Sequence, residues 1–216
     1  MSLIRTARTD IHGRYLVGIP DHSRATLVGF HGYKENATIH LDVLRRIAGD
    51  RPIGLISIQG LHRFYAGGGS VVASWMTKED REHAIADNVA YVAKVLTMVA
   101  DECGMTRPMI YVGFSQGVAM AFRAAALVQR PCDGVIALAS DVPPDVAPLA
   151  ASLPRVLYGR GERDDLYPAS QSAKDLEVLR HAGVRVNAAT FDGAHEWTAA
   201  FIEKSAAFVD ELISSA

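Results

Sequence analysis

The stretch Met109-Ile110-Tyr111-Val112-Gly113-Phe114-Ser115-Gln116-Gly117 decides the fold of this 216-residue chain. Its first four residues are apolar and predict a buried β-strand, and the Ala-rich segment Gln116–Gln129 predicts a helix that stops before Pro131. Between them lies the pattern G-x-S-x-G. A sharp strand-to-helix turn crowds the residues two before and two after its centre, so both must lack a Cβ. We therefore predict that Ser115 is an exposed nucleophile at a helix N-terminus, where a developing anion is stabilised.

The rest of the chain alternates short apolar runs with longer helical patterns, which is typical of a parallel α/β sheet. Several runs are apolar on both faces, as strands covered by helices on two sides should be, and the first could pair antiparallel at an edge. The prediction is a single α/β domain spanning residues 1–216, with one mostly parallel sheet and helices on both faces. About seven strands are predicted, at residues 15–19, 26–30, 53–58, 109–112, 134–139, 155–158 and 184–190.

Helix boundaries are predicted from capping residues and apolar spacing. The tetrapeptide Thr77-Lys78-Glu79-Asp80 is interpreted as a capping box that starts a helix with an apolar stripe. Pro168 and Gly183 bracket another helix, and a helix is also predicted at residues 38–48. The buried face of a last helix is predicted to contain Trp197, Phe201, Phe208 and Leu212.

Composition and charge exclude several classes of protein. Hydrophobic residues make up 49% and charged residues 21% of the chain, which is ordinary for a globular protein and excludes intrinsic disorder. Lys and Arg number 22 against 24 Asp and Glu, so there is no excess positive charge of the kind that binds nucleic acid. Cys103 and Cys132 form no metal-binding pair and are interpreted as small buried residues in a reducing compartment. No run of 18 apolar residues and no apolar leader occurs, so we expect no membrane span and a cytoplasmic location.

A serine hydroxyl is a weak nucleophile at neutral pH and needs a base. In the arrangement that follows a G-x-S-x-G turn, the chain order is serine, then acid, then histidine, near the ends of later strands. His195 ends the last predicted strand and is the candidate base. His181, the other downstream histidine, lies at a helix end, where a C-terminal cap is the better interpretation.

The acid that orients the histidine should follow the strand at residues 155–158. Asp164 and Asp165 both lie in the loop there, and their spacing alone does not separate them. Asp141, just after the strand at residues 134–139, is a third candidate. Sequence position therefore leaves three carboxylates open.

Acyl transfer also needs N–H donors aimed at the tetrahedral oxygen. One is expected from the backbone of Gln116, the residue after the nucleophile. The other should come from the loop after an early strand, and Phe30-His31-Gly32-Tyr33 ends such a strand. No cluster has metal-ligand spacing, so we expect no metal and no cofactor.

Taken together, these residues resemble the α/β-hydrolase superfamily, and more narrowly its phospholipase/carboxylesterase group, which includes acyl-protein thioesterases. The resemblance runs from about Thr26 to the C-terminus. It is carried by His31-Gly32, Ser74-Trp75, Gly113-Phe114-Ser115-Gln116-Gly117, Gly161-Glu162-Arg163-Asp164 and Gly193-Ala194-His195-Glu196-Trp197.

The resemblance implies the roles of two further residues. The group carries its acid in the pattern G-x-x-D-x-x-x-P, and the segment from Gly161 to Pro168 matches it with Asp164 as the acid. The second oxyanion donor is implied to be the N–H of the residue after His-Gly, which is Tyr33. The implied activity is that of a serine hydrolase acting on a small-molecule ester or thioester, and the resemblance is compatible with a homodimer.

Two loops depart from the pattern of the group. The chain has Tyr33-Lys34-Glu35 where the group commonly has Leu-Gly-Asp, and Trp75-Met76-Thr77 where it often has Trp, an aromatic residue and Asp. Only about fifteen residues, 140–154, occupy the place where related folds insert a lid, so we expect no large lid and small to medium acyl chains. The alternatives are acyl transfer to another acceptor, another acyl bond, or a scaffold that only binds its ligand. The expected substrate-binding residues are His31, Gly32, Trp75, Met76, Leu166 and Trp197.

Overall fold

Strands and helices alternate along residues 2–215, the part of the chain that the computed structural model describes. The strands are β1 (Tyr15–Gly18), β2 (Thr26–Phe30), β3 (Gly54–Ile58), β4 (His62–Tyr65), β5 (Val71–Ser74), β6 (Met109–Phe114), β7 (Gly134–Leu138), β8 (Arg155–Gly161) and β9 (Val186–Phe191). The α-helices are α1 (Ala37–Ala48), α2 (Arg81–Cys103), α3 (Gln116–Leu127), α4 (Ala169–His181) and α5 (Ala199–Ser214).

Seven of the strands form one sheet in the order β1-β3-β2-β6-β7-β8-β9. β1 runs antiparallel to β3 at one edge, and the other neighbouring strands are parallel. The parallel register brings the ends of β2, β6 and β7 side by side, with Phe30 opposite Gly113 and Phe114 opposite Leu138. The predicted mostly parallel α/β sheet, with its antiparallel edge strand, is confirmed.

Helices cover both faces of the sheet, as predicted. α2, α3 and α4 pack on one face, where their buried side chains join those of Val28, Tyr111 and Tyr158. α1 and α5 pack on the other face, against Leu27 and Ile110. All residues of β2 and β6 are buried because each strand has helices above and below it. This layering leaves the carboxyl ends of the central strands as the open edge of the fold.

The helix start that the capping box predicted at Thr77 is wrong. α2 begins at Arg81, and its N-cap Asp80 lies in the left-handed region with φ 45° and makes no side-chain capping bond. The Thr77 hydroxyl instead accepts a hydrogen bond from Glu79 N–H at 3.2 Å. A local side-chain bond to the backbone therefore replaces the helical turn. Trp197 likewise precedes α5, whose N-cap is Thr198.

The strands β4 and β5 form an antiparallel hairpin that the sequence analysis did not predict. A 3-10 turn at Gly67–Gly69 joins them, and Gly68 has φ 80°, a conformation that favours glycine. The hairpin is held to the loop after β2, where Lys34 N–H donates to Ala73 O at 3.2 Å and Ala73 N–H donates to Glu35 O at 2.7 Å. Because this loop is distant in sequence from the hairpin, no local sequence pattern predicted the hairpin.

The connection between β7 and β8 contains one short 3-10 helix, Ala147–Ser152. This agrees with the expected absence of a large lid over the carboxyl ends of the strands. Within residues 2–215, none of the helices combines the length and apolar character needed to cross a bilayer.

Candidate active site

Ser115 lies at the tight turn between β6 and α3, with φ 49° and ψ −123°. This is a strained conformation for a residue with a side chain. The flanking glycines make it possible: a Cβ on Gly113 would lie 2.6 Å from Val118 Cα, and one on Gly117 would lie 2.0 Å from Phe30 O. Ser115 N–H donates to Leu138 O at 2.9 Å, which ties the turn to the end of β7. The sequence pattern is thus explained by backbone crowding on both sides of the serine.

His195 follows β9 and bridges Ser115 and Asp164. Its Nε2 lies 2.8 Å from Ser115 Oγ, and its Nδ1 lies 2.9 Å from Asp164 Oδ2 and 3.1 Å from Oδ1. Because a carboxylate only accepts, Nδ1 carries the proton and Nε2 is left to accept one from the serine hydroxyl. The geometry therefore sets up proton transfer from Ser115 to His195.

Of the three carboxylates that sequence position left open, the structure brings Asp164 to His195. The Asp164 side chain is buried, and its Oδ1 also accepts from the N–H groups of Leu166 and Tyr167 at 3.0 and 2.8 Å. Asp165 is exposed, and Asp141 accepts from the Ser140 hydroxyl at 3.1 Å.

The loops that carry Asp164 and His195 are joined by main-chain hydrogen bonds. Glu162 N–H donates to Phe191 O and Arg163 N–H donates to Gly193 O, both at 2.9 Å. Gly161 allows this approach, since a Cβ there would lie 2.3 Å from Ala194 O. The relative position of acid and base is therefore fixed by backbone, which is more rigid than side-chain contact.

Tyr33 and Gln116 present backbone N–H groups that donate to no acceptor among residues 2–215. Gln116 is the first residue of α3, so its N–H has no intrahelical acceptor. Tyr33 lies in a turn closed by Glu35 N–H, which donates to Gly32 O at 3.2 Å. Both N–H groups are thus left available to an incoming oxygen.

Glu35 is a residue of the site that the sequence analysis treated only as a departure from the group pattern. Its Oε2 accepts from Gly32 N–H at 2.7 Å, so main chain and side chain of Glu35 together hold the turn around Tyr33. Burial raises the pKa of Glu35, and the hydrogen bond from Gly32 N–H and the nearby His195 imidazole offset part of that rise. The carboxylate therefore lies within electrostatic range of the base. The difference between this chain and the group pattern at residues 33–35 was the sequence signal that could have pointed to Glu35.

The side chain of Gln116 connects the start of α3 to the loop after β5. Its Oε1 accepts from Trp75 N–H at 2.8 Å and from the Ser74 hydroxyl at 3.2 Å, and its Nε2 donates to Met76 O at 2.8 Å. The three hydrogen bonds fix residues 74–76 beside the nucleophile.

His31 and Trp75 lie beneath the site rather than on its wall. Both have no exposed surface, their rings stack at 5.3 Å between centroids, and Trp75 Nε1 donates to His31 O at 2.9 Å. Both ring nitrogens of His31 are engaged, with Nδ1 2.6 Å from Gly32 O and Nε2 accepting from Gly60 N–H at 2.9 Å. The expectation that these two side chains line the substrate site is corrected, because both are fully buried and instead support the loops beside Ser115.

The other expected substrate-binding residues are spread around the site. Gly32 is packed so closely that a Cβ would lie 2.9 Å from the Phe114 ring, and Met76 is 7% exposed. Leu166, beside Asp164, is 77% exposed. Trp197 is half-buried against Phe114, with ring centroids 6.0 Å apart. Leu166 is therefore the one of this set with a largely open apolar surface.

The arrangement brings together the Ser115 hydroxyl, the His195 imidazole, the Asp164 carboxylate and two backbone N–H groups without acceptors among residues 2–215. No group of three or more His, Cys, Asp or Glu side chains in the described residues is placed to hold a metal ion. Such a set is suited to acyl transfer through a covalent intermediate.

The fold and site define an α/β-hydrolase. A comparison with models of known families matches phospholipase/carboxylesterase over residues 19–213. The chain belongs to the phospholipase/carboxylesterase family, and it is a hydrolase. A search of curated proteins found no match.

Solved structures with the same fold include several esterases. Esterase PE8 is 22% identical, with 93% of this chain and 98% of that chain covered and a TM-score of 0.73. Acyl-protein thioesterase 2 of Zea mays is 18% identical, with 94% and 100% covered and a TM-score of 0.73. A carboxylesterase from Mesorhizobium loti is 19% identical, with 92% and 93% covered and a TM-score of 0.71. At these identities the similarity establishes the shared fold.

Proposed function

We propose that this protein hydrolyses carboxylic esters or thioesters of small to medium acyl chains, with Ser115 as nucleophile, His195 as general base and acid, and Asp164 as the orienting acid. The observation that carries the proposal is the continuous hydrogen-bonded line from Ser115 Oγ to His195 Nε2 at 2.8 Å and from His195 Nδ1 to Asp164 Oδ2 at 2.9 Å. The strained backbone of the serine supports the same role, because it lifts the hydroxyl away from the sheet.

In the first half-reaction, the Ser115 hydroxyl gives its proton to His195 Nε2 as its oxygen attacks the carbonyl carbon. The carbonyl oxygen becomes an oxyanion held by the N–H groups of Tyr33 and Gln116, each of which typically contributes about 3 kcal/mol in such a site. Asp164 stabilises the imidazolium. The tetrahedral intermediate collapses, the bond to the leaving group breaks, and His195 protonates the departing alcohol or thiol.

In the second half-reaction, water takes the place of the alcohol or thiol. His195 removes a proton from the water as its oxygen attacks the acyl-enzyme, and the same N–H groups hold the second oxyanion. His195 then returns a proton to Ser115 Oγ, which releases the carboxylic acid. Every proton in this cycle moves through His195, so the cycle uses no cofactor.

The expected acyl chain length follows from the surroundings of Ser115. The connection where a lid would lie is a single short 3-10 helix, and the exposed apolar side chain of Leu166 lies beside the acid. This favours esters dissolved in water over emulsified long-chain lipid, since the short connection provides no cover for a long chain. The best substrates are expected to be short or medium acyl esters.

The test is hydrolysis of p-nitrophenyl acetate, butyrate and octanoate by the wild type, Ser115→Ala and the surface control Ser152→Ala. The wild type and the control are expected to be active, and Ser115→Ala to be slower by a factor of about 10³ or more. Full activity in Ser115→Ala would overturn the mechanism.

Fluorophosphonate labelling separates the alternatives if the wild type is inert on all three esters. An activated serine reacts with this reagent, so labelling that depends on Ser115 would assign the site to another acyl bond or acceptor. Absence of labelling would assign the chain to ligand binding without catalysis.

A further inference from the structure

A chain of buried oxygen atoms runs from Ser140, in the loop after β7, through Tyr158 and Tyr167 to Asp175 on the buried face of α4. Tyr158 Oη lies 2.7 Å from Ser140 O and 2.5 Å from Tyr167 Oη, and Tyr167 Oη lies 2.6 Å from Asp175 Oδ2. Tyr158, Tyr167 and Asp175 are 2%, 5% and 4% exposed. The mechanism above uses none of the three side chains.

Counting protons determines the state of this chain. There are three close oxygen–oxygen contacts, but the two phenols supply only two protons, and the Ser140 carbonyl supplies none. If Asp175 were ionised, one contact would hold no proton and would set oxygen lone pairs against each other at hydrogen-bond distance. A carboxylic acid supplies the missing proton, so that Asp175 donates to Tyr167, Tyr167 to Tyr158, and Tyr158 to Ser140 O.

The surroundings of Asp175 agree with the acid form. Its Oδ1 accepts from Val142 N–H at 3.2 Å, as the carbonyl oxygen of a carboxylic acid should, and Gln171 Nε2 lies 3.1 Å from Oδ2. The ionisable groups that face it are Tyr158 and Tyr167, both neutral phenols, and the carboxyl group of Asp141.

Burial raises the pKa of Asp175 and Asp141 raises it further, against the lowering effect of its hydrogen-bond contacts with Tyr167, Gln171 and Val142. No cation among the described residues contributes to this balance. Neutralisation by a proton therefore takes the place of an ion pair.

Tyr167 joins this chain to the candidate acid. Its hydroxyl contacts Asp175, while its backbone N–H donates to Asp164 Oδ1 at 2.8 Å. We propose that Asp175 is a positioning residue that, in its carboxylic-acid form, fixes the orientation of Asp164 through Tyr167. This rests on the proposed function, because Asp164 matters to activity only if it orients His195.

Substitutions at position 175 have distinct expected effects. Asp175→Asn replaces the O–H donor with an N–H donor that cannot ionise, so the chain stays complete. Asp175→Ala removes the donor, and Tyr167→Phe breaks the chain while keeping the carboxyl group. Tyr111→Phe is the matched control, because the buried Tyr111 hydroxyl has no hydrogen-bond partner among residues 2–215.

The first experiment measures kcat and KM of these four variants and the wild type on p-nitrophenyl butyrate, from about pH 6 to pH 9. Asp175→Ala and Tyr167→Phe are expected to lower kcat by about 10- to 100-fold with little change in KM, since misplacement of a catalytic group costs that much. Asp175→Asn and Tyr111→Phe should keep kcat near neutral pH. Asp175→Asn should hold this kcat across the whole pH range, because its amide does not ionise.

The second experiment is independent of activity. Infrared spectra of the wild type at neutral pH should contain a protonated carboxyl band that Asp175→Asn removes. Absence of an Asp175-dependent band would overturn the acid form, whether or not the protein is a hydrolase. A kcat of Asp175→Asn as low as that of Tyr167→Phe, with both variants folded by circular dichroism, would overturn the positioning role.

Discussion

Acidification should destabilise this protein through two buried histidines. His31 accepts from Gly60 N–H at its Nε2, so a proton added there would bring two N–H groups face to face. His40 has its Nε2 3.2 Å from Val112 O, and its buried Nδ1 has no acceptor among residues 2–215. A proton added to His40 would therefore lie in the core without a partner. Both imidazole rings are therefore neutral in the folded protein at neutral pH.

The magnitude follows from the pKa values. Burial lowers the pKa of His31 to about 4, and burial together with the charge of His31 lowers the pKa of His40 to about 3. The unfolded chain binds these protons near pH 6.5, so the stabilisation is complete above that pH and is lost as pH falls toward 4 and 3. At pH 5 each histidine should reduce the free energy of unfolding by about 2 kcal/mol. The pair removes about 4 kcal/mol from a total that is typically about 5–15 kcal/mol.

Urea unfolding at about pH 7.5 and pH 5 measures this effect. The stability lost between the two pH values should be about 2 kcal/mol smaller in His31→Gln and in His40→Gln than in the wild type. The exposed-site control His83→Gln should lose as much as the wild type. Glu35 and Asp175, whose pKa values are raised, contribute with the opposite sign, but they are present in every variant and cancel in the differences. Equal losses in the wild type and His40→Gln would refute the argument.

Three further outcomes are expected. Asp164→Asn should lower kcat on p-nitrophenyl butyrate by about 10³- to 10⁴-fold, because the amide favours the wrong tautomer of His195. The midpoint of urea unfolding should stay within error of the wild-type value. An unchanged kcat would exclude Asp164 as the orienting acid. Gly117→Ala should lower the free energy of unfolding in urea by more than about 3 kcal/mol, because its Cβ would lie 2.0 Å from a main-chain oxygen. Gly18→Ala, whose Cβ would have nothing within 4 Å, should change it by no more than about 0.5 kcal/mol. Equal effects of the two substitutions would contradict the crowding argument. Asp145→Ala should destabilise the protein by about 3–5 kcal/mol, and by more than Arg123→Met does, because it leaves the fully buried Arg123 cation without its partner, which is itself 38% exposed. The reverse order in urea unfolding would count against a penalty for a buried unpaired cation.

The strands of the sheet could be predicted because burial on both faces requires a run of consecutive apolar residues. A strand such as β2 or β6 lies between helices on both sides and must be apolar throughout. The hairpin β4–β5 escaped prediction for the opposite reason. Its first strand is mostly exposed, and its attachment depends on Glu35, which is far away in sequence. The capping box failed because the backbone of Asp80 adopts a left-handed turn that its side-chain type does not reveal.

The sequence by itself determined the position of the nucleophile, because the steric need for glycine at 113 and 117 acts within five residues. It also placed His195 at the end of a strand, although the catalytic role of both residues remains a prediction. Only the tertiary structure decided which way the neighbouring side chains face. Asp164 turns inward because main-chain N–H groups receive its carboxylate, whereas Asp165 remains exposed. His31 lies beneath the site rather than on its wall, because the N–H of Gly60, on another segment of the chain, donates to its Nε2. These choices depend on hydrogen-bonding partners that are brought together by folding, and no local pattern encodes them.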